Sequence, residues 1–227
     1  MSLTEKIATK IGNNAKLFLN VNEEQKQIII YGAINLFQML FAILWVIIAG
    51  VILGVFYEAL IFSTTASILR KYSGGVHASS PSRCIIIGTF SAALAGILIN
   101  NIFYTINNAA VAVISGAIIL FAFITVFKNA PVDSIKKPIT NIETRKQFKR
   151  KSIFVIFIFL FLIIILFIFN EKFSELYYIK LIESIGAGVL WQTITLTKNG
   201  VNFLNKVDFA LKYIIEGVGI SATPKAK

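Results

Sequence analysis

Two long stretches nearly free of charge decide what this chain can fold into. Between Gln27 and Leu69 the single charged residue is Glu58, and between Cys84 and Phe127 there is none. A membrane-spanning helix takes roughly 20 mostly apolar residues, so each stretch is too long for one span and suits two. The rest of the composition agrees. Hydrophobic residues make up 56% of the chain and charged ones only 15%, against about a quarter in soluble domains. The chain reads as an integral membrane protein.

Punctuation inside the apolar runs divides them. Ala49-Gly50 predicts a tight turn, giving spans near 28–48 and 51–69. The second is less uniform, because it holds Glu58 and the polar run Ser63-Thr64-Thr65. The asparagine-rich stretch NNIFYTINN is unsuited to hydrocarbon and separates spans near 84–100 and 109–127. Branched and aromatic residues make a fifth span at 152–170. A sixth lies near 176–197, where Lys180 and Glu183 can pair or reach the interface. At the start, Leu3, Ile7, Ile11, Ala15 and Phe18 recur at helical spacing among lysines, which predicts an amphipathic surface helix within 1–26. Phe203, Val207, Leu211, Ile214 and Val218 repeat the pattern in the tail 198–227. The expected fold is all-α: a polytopic membrane helix bundle of about six transmembrane helices in one integral domain, with interfacial helices at both ends.

Orientation follows from the distribution of lysine and arginine. With an internal N-terminus and six spans, all but Lys172 and Lys180 of the 22 basic residues fall on the inner side. Both termini, the polar loop 70–84 and the basic loop 128–151 are therefore expected in the cytoplasm of a multi-pass membrane protein. The net charge of +11 is explained by those basic segments, and no nucleic-acid partner is expected. The first 26 residues lack an apolar core followed by a small-residue cleavage site, so no cleaved signal peptide is expected. One cysteine cannot close an internal disulfide, so no oxidising compartment is implied.

The loop RKYSGGVHASSPSRC, residues 70–84, holds the only histidine and the only cysteine, His77 and Cys84. Each alone is unremarkable: an isolated cysteine at the edge of an apolar span is usually a small buried hydrophobe. Together in one short polar loop they suit nucleophilic catalysis. A cysteine nucleophile acts as thiolate, and a neighbouring imidazole can take its proton and return it to a leaving amine. Arg70, Lys71 and Arg83 supply positive charge that favours a thiolate. Gly74 and Gly75 permit backbone shapes other residues resist. Pro81 suits the first turn of a helix, with Ser79 or Ser80 as its cap. A serine nucleophile among Ser73, Ser79, Ser80 and Ser82 stays open, although nothing singles one out. One His and one Cys, with no acid in the loop, are too few for a metal site, and no cofactor is called for.

Arg70, Gly74-Gly75-Val76-His77 and Cys84 at the start of an apolar span, in that spacing, resemble the AgrB family, membrane cysteine endopeptidases of bacterial peptide quorum sensing. A second stretch, APVDSIKKPI at 130–139, is similar to the family's second polar signature. The resemblance covers nearly the whole chain. It implies a bacterial cell membrane as the setting and a propeptide of the AgrD type as substrate. It makes Cys84 the nucleophile and His77 the general base. It further implies cleavage of an acidic C-terminal tail, with the peptide left as a thioester on Cys84 and then cyclised to a thiolactone or lactone. A homo-oligomer such as a dimer is compatible with it.

Outside the His/Cys loop the assignments stay open. Asp133 could orient His77 as a third catalytic group, or simply be a solvated loop acid. Backbone amides near Gly74 and Gly75, with Arg70 close by, are candidates for structural or oxyanion support. In the basic loop, Lys136 and Lys137 are the first candidates for binding the acidic tail, although such a loop also serves topology and anionic lipid. Glu58 could partner Arg70 or Lys71, or snorkel outward. A rival of a different class is a small membrane transport or channel subunit, exporting a peptide.

Overall fold

The computed structural model describes residues 3–76, 78–133, 141–173 and 175–216. Eight α-helices occur among them, and no β-strand: α1 (Leu3–Leu19), α2 (Glu23–Ile52), α3 (Phe56–Ser73), α4 (Pro81–Asn101), α5 (Asn108–Asn129), α6 (Ile142–Phe173), α7 (Leu176–Ile194) and α8 (Lys198–Glu216). Helices are what a spanning chain requires, since lipid offers no partner for backbone N–H and C=O groups.

Local sequence explains several helix ends. Asn22 accepts a hydrogen bond from the Gln25 amide while the Gln25 side chain accepts one from the Asn22 N–H, a reciprocal cap for α2. In the asparagine-rich stretch, Phe103–Thr105 forms a 3-10 turn and Asn107 caps α5 through the Ala110 amide at 2.7 Å. The tight turn expected at Ala49-Gly50 is not formed. The α2 helix runs on to Ile52 and the chain reverses at 53–55, where Gly54 takes φ +68°. Gly50 acts in packing instead. A Cβ there would lie 2.9 Å from the Phe56 Cα, so its small size lets α3 come close.

Two more glycines repeat this service for the α3 region. A Cβ on Gly96 of α4 would meet the Val55 Cβ at 2.9 Å, and one on Gly188 of α7 would meet the Phe62 carbonyl oxygen at 2.6 Å. Small residues at such crossings let helices pack by van der Waals contact where no hydrophobic effect drives them together. As a result α3 touches α2, α4, α6 and α7, and α7 touches α3, α4, α5 and α6. These are the central helices. Their less apolar sequences follow from that position, because neighbouring helices shield them from lipid.

This arrangement qualifies the expected span count. Four helices among the described residues are long and apolar enough to cross a membrane: α2, α4, α5 and α6. The helices at 51–69 and 176–197 of the sequence analysis, α3 and α7, are not among them. Six spans are therefore not established by composition.

One end of the bundle gathers the α3–α4 connection, the end of α5, the start of α6 and the α7–α8 junction. The other end holds the α2–α3 turn and the α4–α5 and α6–α7 connections. Glu58 lies at that other end, in the first turn of α3, where it lines a small cleft with Tyr57, Tyr177 and Lys180. Arg70 and Lys71 are in the last turn of the same helix, so a Glu58 partnership with either is ruled out by the helix length. Lys180 donates to Asn100 on α4. The segment 128–151 is also less of a loop than expected: Lys128 lies in the last turn of α5, and residues 142–151 are already the first turns of α6.

Candidate active site

The α3 helix stops at Ser73 because Gly74, at φ +69° and ψ −144°, takes a conformation nearly confined to glycine. There the chain meets the second polar stretch. Gly74 forms a parallel bridge with Val132: the Val132 amide donates to the Ser73 carbonyl at 2.9 Å, and the Gly75 amide to the Val132 carbonyl at 3.4 Å. The two stretches singled out in the sequence thus lie side by side. Space at the bridge is limiting, since a Cβ on Gly74 would sit 2.1 Å from the Val132 oxygen. Gly75, at φ +126°, fits against α7, where a Cβ would meet the Thr195 hydroxyl at 2.8 Å. With the Gly74 amide donating to the Arg70 carbonyl at 3.0 Å, both glycine amides are engaged. The two residues shape the turn rather than offer free donors to an oxyanion in this state.

Gln192 of α7 holds the same turn from below. It is fully buried, and its Nε2 donates to the Ser73 Oγ at 3.0 Å and the Gly74 carbonyl at 2.8 Å. Its Oε1 is buried without a hydrogen-bond partner among the described residues. Asn129, ending α5, donates to the Leu196 carbonyl at 3.0 Å and closes the same corner. Sequence reasoning passed over Gln192. A glutamine next to the apolar run Val189-Leu190-Trp191 was the available signal, because a buried amide is costly unless it is bonded.

Cys84 is part-buried and free, in the first turn of α4. Its amide donates to the Ser80 carbonyl at 3.1 Å and so belongs to the helix. At 3.6 residues per turn, Cys84 lies about 60–80° around α4 from Ile99 and Ala92, both fully buried, so it sits at the edge of the inward face. A larger apolar groove of about 630 Å³, lined by Phe41, Trp45, Ile85 and Thr89 among others, opens on the α2 side of α4 and does not include Cys84. Arg70 donates to the Val76 carbonyl.

Pro81 starts α4 as expected, but Ser80, the residue at the cap position, makes no side-chain cap. The segment between the His and the Cys is held by a residue from the far end of the chain. Asp208 of α8 accepts from the Ser79 amide at 3.1 Å, the Ser79 hydroxyl at 2.6 Å and the Arg83 Nε at 2.7 Å. Arg83 is buried. Burial pushes the Asp208 carboxyl up, yet the hydrogen bonds from Ser79 and Arg83 and the guanidinium charge outweigh it and hold the group below its usual value. Asp208 carried no signal in the sequence, where it looks like the polar side of an amphipathic helix.

Asp133, the proposed third group, pairs with Arg145 at 3.1 Å, and Arg145 also donates to the Pro131 carbonyl at 3.3 Å. His77, Lys136 and Lys137 lie outside the described residues. Other cations surround the turn. Lys71 and Lys151 lie 5.5 and 5.9 Å from the Tyr72 ring, and Lys149 lies 4.5 Å from that of Phe127. Among the described residues no group of three or more His, Cys, Asp or Glu could hold a metal.

Apolar helices around a less apolar pair, with a shaped turn, a thiol and several cations at one end, define a multi-pass helical membrane protein with one chemically equipped end. The family model described as accessory gene regulator B matches residues 4–196. An AgrB-like protein of Clostridium perfringens strain SM101 is 37% identical over 209 residues, covering 91% of this chain and 97% of its own. An AgrB-like protein 2 of Clostridium perfringens strain 13 is 38% identical over the same length, with the same coverage. No solved structure matches. The chain belongs to the AgrB family. Membership ties it to propeptide processing in agr quorum sensing, with a propeptide as substrate and the membrane as setting.

Proposed function

We propose that this protein is a membrane cysteine endopeptidase that removes the C-terminal tail of an AgrD-type propeptide and retains the remainder as a thioester. The observation that carries the proposal is the Gly74–Val132 bridge, which joins the two family-like stretches next to the helix bearing Cys84. In the first step His77 takes the Cys84 proton and Sγ attacks the carbonyl at the tail boundary. The C–N bond then breaks, and the same proton leaves with the tail amine. In the second step a cysteine or serine within the peptide attacks the thioester, closes a ring and returns the thiol to Cys84. Exchange of one thioester for another needs no external energy source. Water must be kept from the intermediate, a condition served by the part-buried position of Cys84.

Recognition of the acidic tail would fall to the cations at the same end. Lys71, Lys149 and Lys151 join Lys136 and Lys137 as its expected partners, with Arg145 holding Asp133. Both termini and the catalytic loop are assigned to the cytoplasmic side, and six helices, α2–α7, to the membrane. The test is processing of a co-expressed AgrD-type propeptide. Cys84→Ala and Cys84→Ser should abolish cleavage while the protein still accumulates in membranes. Normal processing by Cys84→Ala would end the peptidase proposal.

A further inference from the structure

We propose that Asp208, on the C-terminal helix α8, is a positioning residue for the active-site loop, a role that rests on the cysteine-peptidase function above. Five residues, 79 to 83, separate the histidine side of the loop from Cys84. Local sequence does not secure them: the cap position of α4 makes no side-chain bond to the helix. Their fixed points come from one carboxylate, which accepts three hydrogen bonds, two from Ser79 and one from Arg83. The Arg83 Nη2 closes the network by donating to the Ser79 Oγ at 2.5 Å. The ion pair is sheltered, with side-chain exposures of 5% for Arg83 and 14% for Asp208. Charge-assisted bonds of this kind are both stronger and more directional than neutral ones. They hold the residue immediately before Cys84 and the one two beyond His77.

Asp208 has this reach because of how α8 is seated. Leu204, one turn earlier, is buried, whereas Phe203 and Ile214, which share another face of the helix, are exposed. The helix therefore has one face against the bundle and an apolar face turned away, suited to a lipid surface. The first anchors the loop through Asp208. The second fixes the helix that carries the anchor. Residues of a surface helix thus set the geometry of a reaction they do not touch.

The experiment uses the full chain in phosphatidylcholine/phosphatidylglycerol nanodiscs. Two quantities are followed: alkylation of Cys84 by iodoacetamide, and kcat and KM on a synthetic AgrD-type propeptide. Misplacement of reacting groups by about an ångström costs on the order of 100-fold in rate, so Asp208→Ala should lower kcat by roughly 10- to 100-fold. KM should stay within about threefold, because tail and helix contacts lie elsewhere. Asp208→Glu, which keeps the charge, should recover much of kcat, and adding Ser79→Ala to Asp208→Ala should cost little more, as expected of one network. If Asp208→Ala does not accumulate, Asp208→Asn is measured in its place. The proposal is overturned if kcat stays within about twofold of wild type, or if kcat and the folded fraction fall together with no recovery in Asp208→Glu. Cys84→Ala separates the two ideas. If that variant still processes propeptide, the peptidase function fails; Asp208 then positions the loop if Asp208→Ala changes the alkylation rate of Cys84 by more than about threefold and Asp208→Glu restores it, and an unchanged rate overturns the proposal.

Discussion

Replacing Gly74 by alanine should disable propeptide processing while leaving the bundle standing. The new Cβ would be placed 2.1 Å from the Val132 carbonyl oxygen and 3.0 Å from its carbon. Both are backbone atoms, so no side-chain rotation relieves the contact. The φ of +69° and ψ of −144° add about 1–3 kcal/mol for a residue other than glycine. Relief requires the bridge to open, which gives up two backbone hydrogen bonds of about 1 kcal/mol each. Together these amount to about 3–5 kcal/mol against the assembled site. At 1.4 kcal/mol per tenfold, the competent population falls by about 100- to 1,000-fold or more. Propeptide cleavage should drop accordingly. Thermal unfolding in detergent should shift only modestly, because the α3–α7 packing below the turn is untouched. Gly54→Ala is the matched control. That glycine also has positive φ, +68°, but nothing lies within 4 Å of its Cβ position and it sits at the opposite end. It should cost about 1 kcal/mol of stability and little activity. Cleavage by Gly74→Ala within about threefold of wild type would refute the idea that the Gly74–Val132 junction assembles the site.

Three further outcomes are expected. His77→Ala should retain propeptide in a pull-down yet lose product formation by about 100- to 10,000-fold, the usual contribution of a positioned acid–base group; near-normal cleavage would make His77 a bystander. Gln192→Leu removes both bonds to Ser73 and Gly74 and leaves their oxygens buried, so it should destabilise by about 1–3 kcal/mol, seen as a lowered Tm, and reduce cleavage. Exposed charge pairs are each worth about 0–1 kcal/mol and are screened over about 8 Å at physiological salt, so Lys136→Gln/Lys137→Gln should raise KM and flatten its salt dependence without changing alkylation of Cys84. Unchanged slopes in a salt titration would assign those two lysines to topology or lipid.

Much of the molecule can be read without its fold, because the signals are local. Apolar length and lysine-flanked periodicity announce the helices. Asn22 and Asn107 cap the helices that follow them through bonds to neighbours three residues on. His77 and Cys84 stand out because they are the only ones of their kind and share a loop. The resemblance of that loop to the AgrB signature agrees with the family the chain proved to belong to. Where local signals conflict with packing, the sequence misleads. Gly50 looks like a turn, but the space it saves is taken by α3. Glu58 and Arg70 look like partners along the chain, yet a helix keeps them at opposite ends.

What only the tertiary structure decided is which distant residues complete the site. A span as polar as 51–69 is uncertain by composition alone, and its place at the centre of the bundle comes from contacts with four other helices. Gln192 is one amide among apolar residues, and Asp208 one acid on the wet side of an amphipathic helix. Neither has a spacing or a neighbour that marks it. Their roles arise because the helices bring α7 beneath Gly74 and α8 against Ser79 and Arg83. Hydrogen bonds between residues so far apart in the chain depend on where helix ends converge, and a one-dimensional pattern does not encode that convergence.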